Sequence, residues 1–266
     1  MKIAVLICVY AGDNLEHFKE SIDSIKNQSK SCRLNIYLHI DGEIPADMNA
    51  YIEQESFHCV VRSNPNVGLA LGLNKLIERL GEEDFIFRMD ADDITVPGRF
   101  EYQLDYMVTH PEVDLSGGSI GEFLGQEDNI VSVRKYPLIN SKIQRTLYRA
   151  SPLAHVTVCF RRGFFDKFGV YPTSYPFNED LALWIQASQN NAIFGNIEQI
   201  LVNVRMDGAY ERRRVSKAWP EFKLYSTHNI KNFRVPIVPV IRLIFRYLPK
   251  SIVKSIYNSP FRKLFT

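Results

Sequence analysis

Asp90, Asp92 and Asp93 place three carboxylates within four positions, with Ala91 between the first two. Crowded acids repel one another unless a positive charge sits among them, and hard oxygen donors of this kind suit Mg²⁺ or Mn²⁺. Such a cation is commonly held by one or two carboxylates while substrate phosphates complete its shell, as in nucleotide chemistry. On an extended chain Asp90 and Asp92 project to the same side. Taken alone, the tetrapeptide also reads as a solvated acidic turn before the helix that Pro97 begins. Arg88, two residues upstream, is either a charge partner of the cluster or points away from it.

These acids need an element to deliver them. The apolar run 85–89, bounded by polar turn residues, reads as a buried strand ending at the cluster. In an open α/β sheet the carboxyl edge of the strands is where ligands bind. Upstream, a strand is predicted over 2–10 and a helix over 14–28, where Leu15, Phe18, Ile22 and Ile25 recur at helical spacing. A strand over 34–40, a helix over 46–54, a strand over 58–62, a turn over 64–68 and a helix over 69–80 follow. This alternation predicts βαβ units and a parallel sheet covered on both faces over residues 1–110. The second half is less regular. Strands are predicted over 113–123 and 129–136, a helix over 140–149 and a strand over 155–161. Beyond these come a helix over 179–190, two short strands within 193–204, and a basic helical segment from 212.

A chain of 266 residues can bury a sizeable core, and its 45% hydrophobic and 23% charged residues are those of a globular protein. Cys8, Cys32, Cys59 and Cys159 are scattered without a Cys-x-x-Cys pair, which argues against a disulfide framework or zinc site and for a reducing cytosol. The N-terminal apolar run lacks a small-residue cleavage site and enters the turn Gly12-Asp13-Asn14, so it reads as a first strand, not a leader. Charge is segregated. Residues 1–211 hold 19 basic and 29 acidic groups, a net of −10, whereas 212–266 hold 13 basic groups and one acid, Glu221, a net of +12. Such a tail is expected to meet an anionic surface. Arg242, Arg246, Lys250 and Lys254 step by four to form a basic face interrupted by Pro249, beside apolar Val240, Ile241, Ile244, Phe245, Leu248, Ile252 and Ile256. This pattern fits a helix lying on an anionic membrane, or one packed on its own domain. It carries no nucleic-acid reader motif, so no nucleic-acid partner is expected.

Four features in order resemble the inverting family 2 glycosyltransferases of the GT-A fold. They are Val9-Tyr10, Asp41-Gly42, Asn66-x-Gly68 with Asn74, and Met89-Asp90-Ala91-Asp92-Asp93-Ile94-x-x-Pro97-x-Arg99-x-x-x-Gln103. Downstream, Asn178-Glu179-Asp180-Leu181-Ala182-Leu183-Trp184 is similar to the family's Glu-Asp segment. The resemblance covers residues 1–205. The Arg212-Arg213-Arg214 run and basic tail look most like bacterial enzymes that build O-antigen or capsule repeats.

The resemblance implies an α/β fold with a Rossmann-like nucleotide-binding sheet flanked by helices. It divides the chain into a catalytic domain over 1–211, with a nucleotide-sugar half at 1–110 and an acceptor half at 111–211, and a helical extension over 212–266. It implies Mn²⁺ or Mg²⁺ on Asp92 and Asp90, with Asp93 supporting the ligands or touching the sugar. Tyr10 and Asp41 end neighbouring strands, where a uracil ring can stack and a carboxylate can accept its N–H or a ribose hydroxyl. Asp41 equally suits a cap or turn. Asn66 and Gly68 open a helix whose N-terminus can face the nucleotide, and Asn74 lies within it; ordinary turn chemistry is the other reading. Arg99 and Gln103 share one helical face, as site residues or as an exposed pair.

Inversion requires a base that takes the acceptor hydroxyl's proton, and the resemblance gives this role to Asp180, with Glu179 as fallback. Asn178 capping this helix, with both acids favouring its positive end, is the structural alternative. His155 falls near the acceptor side or is structural, and Gly118, after Gly117, permits a sugar or backbone to approach closely. Family members often carry Arg-x-His after the last sheet strand, but Arg205-Met206-Asp207 lacks the His, leaving Arg205 or Arg212 and Arg213 to act on the phosphates. The implied activity is transfer from a UDP-sugar to a hydroxyl of a polyprenyl-diphosphate-linked oligosaccharide at the inner face of the cytoplasmic membrane. A non-catalytic sugar-binding subunit and a sugar-nucleotide pyrophosphorylase are the alternatives. The second should show a Gly-rich N-terminal loop with a basic residue, which Tyr10-Ala11-Gly12-Asp13 does not.

Overall fold

The computed structural model describes residues 1–28, 32–207 and 218–247. Strand β1 (Lys2–Tyr10) is almost wholly apolar and buried on both faces, which puts it in the middle of a sheet. Asn14 caps α1 (Leu15–Lys26), accepting from the Glu16 and His17 amides at 2.9 and 3.1 Å, and Phe18, Ile22 and Ile25 face the sheet. Then come β2 (Arg33–Asp41), α2 (Ala46–Gln54), β3 (Cys59–Ser63), α3 (Leu69–Ile77) and β4 (Phe85–Arg88). The four strands are parallel in the order β3-β2-β1-β4. The chain steps outward from β1 through β2 to β3 and then crosses to its other side for β4. Strand order therefore reverses at β1, and the crevice beyond the carboxyl ends of β1 and β4 is where such sheets bind ligands.

The second half extends the same sheet. It contributes β5 (Ile94–Thr95), α4 (Arg99–Thr109), β6 (Leu115–Phe123), β7 (Ile130–Arg134), α5 (Asn140–Thr146), β8 (Cys159–Arg161), α6 (Phe164–Phe168), α7 (Glu179–Gln189) and β9 (Phe194–Arg205). Beyond β4 the order is β8-β6-β9-β5, with β7 on β6. Strands β6 and β9 run parallel, while β8 and β5 are antiparallel to their neighbours. One buried cluster joins α1, α2 and α4 to one face, and a second joins α3, α5, α6 and α7 to the other.

Two strand expectations are corrected. Only Cys159–Arg161 of the predicted 155–161 strand is extended, because Thr157 bends the chain into a 3₁₀ turn (His155–Thr157), its hydroxyl donating to the Ala154 carbonyl at 2.8 Å. The pair predicted within 193–204 is one strand. Its register jumps from Gly118↔Ile197 to Ser119↔Ile200, so Glu198 and Gln199 bulge into solvent and break the apolar pattern without ending the ladder.

Residues 218–247 form two further helices, α8 (Ala218–Lys231) and α9 (Ile237–Tyr247). Leu224 and Tyr225 of α8 join the α7 side of the core, and Asn229 donates to the Tyr148 carbonyl at 2.9 Å. Here the basic face read from the sequence is corrected. Arg242 and Arg246 turn inward and both pair with the buried Glu221, Arg242 at 2.8 Å. Glu221 is the only acid in 212–266, and a buried carboxylate needs partners. Lys250, Lys254 and Arg212 to Arg214 lie outside the described residues.

Candidate active site

Strand β4 ends at Arg88, and the chain leaves it as Met89-Asp90-Ala91-Asp92-Asp93 before being caught again by β5, whose Ile94 and Thr95 pair with Asn203 and Val202 of β9. Fixed at both ends, the loop brings ligand oxygens of Asp90, Asp92 and Asp93 within 4.8 Å of one another. Arg88 turns onto the cluster, and its buried guanidinium forms an ion pair with the Asp90 carboxylate. Ser21 of α1 donates to the Asp90 carbonyl at 3.0 Å. Asp93 is buried, and its carboxyl is pushed well above the usual carboxylate range by that burial and then by Asp90 and Asp92. The Arg205 amide and Arg88 oppose this shift only in part. Three crowded carboxylates form an oxygen donor set that fits Mg²⁺ or Mn²⁺.

Arg205 supports this loop from behind. Its backbone N–H donates to Asp93 Oδ1 at 2.9 Å and its Nε–H to the Asp92 carbonyl at 3.1 Å. Its remaining nitrogens reach the Gly125 carbonyl at 3.0 Å and the Glu20 carboxylate at 2.5 Å, over the ring of Phe123. Asp207 accepts from the Gly125 amide at 3.3 Å. Arg99 and Gln103 are a buried pair, not an exposed one. Arg99 donates to the carbonyls of Arg88 and Val156, both at 3.0 Å, and Gln103 to that of Thr157 at 2.9 Å. They tie the end of β4 to the 3₁₀ turn, and burial pulls the Arg99 guanidinium down to about 9.

At the carboxyl edge of the parallel strands Tyr10 and Asp41 are register partners at the ends of β1 and β2. Tyr10 is half-exposed. Asp41 accepts from the Val67 and Gly68 amides at 2.7 and 2.9 Å, and Asn66 donates to the Asp41 carbonyl at 3.1 Å. Gly68 caps α3 at φ 86°, a conformation that favours glycine. Cys8 lies two residues before Tyr10 on β1, and burial pushes its thiol up. Asn74 does not join Tyr10 and Asp41: its amide donates to the Tyr171 carbonyl at 2.9 Å and accepts from the Tyr171 N–H at 3.0 Å.

The segment expected on the acceptor side is built on α7. Glu179 and Asp180 occupy its first turn, Glu179 buried and Asp180 half-buried. Asn178 stands at the cap position, yet its side chain does not cap the helix. Tyr171 is buried in the hydrophobic cluster that α7 joins. Burial pushes its hydroxyl up, and Arg88, Asp180 and Glu179 all act on it. His155 shares a hydrogen bond of 2.9 Å with that hydroxyl and packs edge-on to Trp184 of α7. Gly118 is buried where β6 crosses β9, where an added Cβ would meet the Leu201 side chain and lie 3.2 Å from the Ile197 carbonyl. The approach it permits is that of backbone. Sequence reasoning passed over Cys8, Tyr171 and Phe177. Phe177 is half-exposed two residues before Glu179 at φ 64°, rare for a side chain of its size, and a sequence carries no direct signal of such a torsion.

The profile of glycosyl transferase family 2 matches residues 4–169. The chain belongs to glycosyltransferase family 2. An uncharacterized glycosyltransferase of Haemophilus influenzae is 30% identical, over 99% of this chain and 100% of its own. The Escherichia coli UDP-Gal:alpha-D-GlcNAc-diphosphoundecaprenol beta-1,3-galactosyltransferase is 27% identical, over 98% and 97%, and the Erwinia amylovora amylovoran biosynthesis glycosyltransferase AmsE 28%, over 96% and 97%. Staphylococcus aureus TarS 1–349 in complex with UDP-GlcNAc superposes with a TM-score of 0.66 at 14% identity, covering 99% of this chain and 78% of that one. The mannosyltransferase PcManGT of Pyrobaculum calidifontis, in complex with GDP-Man and Mn²⁺, gives 0.61 at 11%, covering 94% and 71%. With the curled α/β sheet, these likenesses make the fold GT-A. The protein is a glycosyltransferase.

Proposed function

We propose that this glycosyltransferase moves a sugar, with inversion, from a UDP donor to a hydroxyl of a polyprenyl-diphosphate-linked saccharide during surface-polysaccharide synthesis. It would work at the cytoplasmic face of the membrane, with its C-terminal segment against an anionic lipid surface. The observation that carries this reading is the acid cluster beyond the end of β4, where ligand oxygens of Asp90, Asp92 and Asp93 lie within 4.8 Å of one another while Arg88 pairs with Asp90 and Arg205 holds Asp92 and Asp93. Tyr10 and Asp41 would take the nucleoside, beside the α3 N-terminus. Mn²⁺ or Mg²⁺ held by Asp92 and Asp90 would neutralise the departing diphosphate. Arg88 fixes Asp90, and Arg205 holds the backbone of Asp92 and the carboxylate of Asp93. The acceptor oxygen bonds to the anomeric carbon as the carbon–oxygen bond to the diphosphate breaks, and the hydroxyl proton passes to Asp180. The lipid-linked acceptor and the UDP donor are supported by the E. coli relative's named substrates.

The decisive measurement is transfer rate beside donor Kd in Asp180→Asn. The substitution keeps size and removes the base, so kcat should fall by roughly 10²–10⁴ with donor binding little changed. Glu179→Gln should cost less. Full activity in Asp180→Asn would refute the assignment, and a loss confined to Glu179→Gln would move the base back one position. Donor binding with no turnover in the parent protein would instead favour a binding subunit.

A further inference from the structure

Phe233 stands where folding alone would not put a phenylalanine. The end of α8 is closed by the Phe233 amide donating to the Ile230 carbonyl at 3.0 Å and the Arg234 amide to the Asn229 carbonyl at 2.9 Å. These bonds are those of a Schellman cap, in which the residue at Phe233 must turn left-handed, a place ordinarily taken by glycine or asparagine. Phe233 adopts φ 55° there, and its side chain is 100% exposed. It is strained and solvated together.

It does not stand alone. Ile237, Val240, Ile241, Ile244 and Tyr247 recur at helical spacing along α9 and are all exposed, as is Val235 in the connection. The inward pairing of Arg242 and Arg246 with Glu221 explains why: α9 rests on α8 through its basic side and turns its apolar side out. Beside this ridge Lys231 and Arg234 are exposed, Arg234 with its guanidinium over the Tyr148 ring at 4.0 Å, and in sequence residues 248–266 add Lys250, Lys254, Arg262 and Lys263 without an acid. No described helix is long and apolar enough to cross a membrane.

We propose that the corner made by Phe233 and the outer face of α9 inserts into the surface of a lipid bilayer, apolar side first. This inverts the orientation read from the sequence, in which the basic face met the lipid. An interfacial helix buries its apolar face at the acyl boundary and keeps basic residues at headgroup level, as Lys231 and Arg234 would be here. A second copy of the chain fits less well, because a two-fold contact through this ridge sets the same basic residues, Lys231 and Arg234, against each other. The inference rests on the proposal of a lipid-linked acceptor and adds where that lipid meets the protein. Helix α8 joins the hydrophobic cluster of α7, and Asp180 acts on the Tyr225 hydroxyl of α8. The docking corner and the acceptor end thus share one packed unit.

The test is sedimentation of the full chain with vesicles of phosphatidylcholine alone and with added phosphatidylglycerol. Phe233→Gly and the double variant Ile241→Ser/Ile244→Ser should each lower the partition coefficient by about tenfold, the scale of withdrawing one or two partly inserted apolar side chains. Phe233→Gly should melt no lower than the parent, since glycine relaxes the left-handed cap, so its loss of binding cannot be misfolding. Raising salt from about 0.1 to about 1 M should weaken binding only a few-fold, because screening acts on the charges and not on the ridge. Binding unchanged in both variants, or abolished by salt, overturns the proposal. So does loss of all binding on removal of 248–266 while Phe233→Gly still binds, or a dimer of the parent that only the ridge variants dissolve while vesicle binding stays intact. Transfer to a soluble acceptor, measured on the same preparations, should be unaffected by the ridge variants. Its absence in the parent would sink the proposed activity instead of the docking surface.

Discussion

Arg205→Met is the substitution that most directly asks whether the acid loop is positioned from behind. Methionine keeps the stem over Phe123 and the backbone N–H to Asp93, but removes the donors to the Asp92 and Gly125 carbonyls and the pair with Glu20. Each carbonyl left without its donor costs about 1–3 kcal/mol. Losing the cation over Phe123 at 4.7 Å costs about 1 kcal/mol. The Glu20 pair adds little, because that carboxylate is 53% exposed. Desolvation of the guanidinium, 6% exposed, is relieved in return, leaving a net cost of about 3–5 kcal/mol. At about 2–4 °C per kcal/mol for a chain of this size, Tm should drop by roughly 10 °C.

The functional consequence separates positioning from mere stability. Once the Asp92 carbonyl is untethered, Mn²⁺-dependent UDP affinity should fall at least tenfold by calorimetry well below the new Tm, whereas Glu20→Gln should change neither quantity appreciably. A variant that loses Tm but binds UDP and Mn²⁺ as before would show that Arg205 braces the sheet without ordering the acids. One that loses neither would refute the reasoning altogether.

Asn74→Ala should cost about 2–4 kcal/mol in urea unfolding, because the Tyr171 N–H and carbonyl both lose their partner, while UDP affinity should stay within about twofold. The His228 ring is buried with neither nitrogen hydrogen-bonded, stacked on Tyr148, and burial pulls its pKa below the ordinary histidine value. The folded state therefore disfavours its protonation. The stability it permits is present above about pH 6.5, where the unfolded chain is neutral too, and is lost as pH falls through the depressed folded value. His228→Phe keeps the stack and should flatten the acid limb of Tm below about pH 6.5, with His39, shifted the same way, accounting for the remainder.

The elements that the sequence made legible are those whose patterns are local. The apolar run of β1, the 3.6-residue spacing in α1 and the turn after Asn64 each specify their own conformation, and together they fix the parallel half of the sheet. The acid cluster was legible for the same reason, as three carboxylates in one short loop. What stayed hidden depends on partners distant in sequence. Strand β5 is two residues long and exists only because β9 offers it a ladder. Asn74 reads as a nucleotide contact until Tyr171, 97 positions away, takes both ends of its amide. The tail shows the same limit more sharply, because a stripe of arginines at four-residue spacing says that a face is basic and not which way it turns. Glu221, 21 residues before Arg242, decides that.

The acid loop is thus held by residues that arrive late in the chain. Arg88 leaves β4 already paired with Asp90, but Asp92 and Asp93 are fixed only when β9 lays Arg205 beside them. Strand β9 is also the parallel partner of β6, and α7, which carries Glu179 and Asp180, directly precedes it. The ordering of the acid loop and the placement of the proposed base therefore depend on the same docking event, that of β9 into the sheet. A destabilised β9 should loosen both ends of the site together, so lesions in the β6–β9 ladder should lower nucleotide affinity and turnover in parallel. Lesions confined to α7 should spare the nucleotide. That split in phenotype distinguishes one cooperative site from two independent half-sites that merely share a sheet.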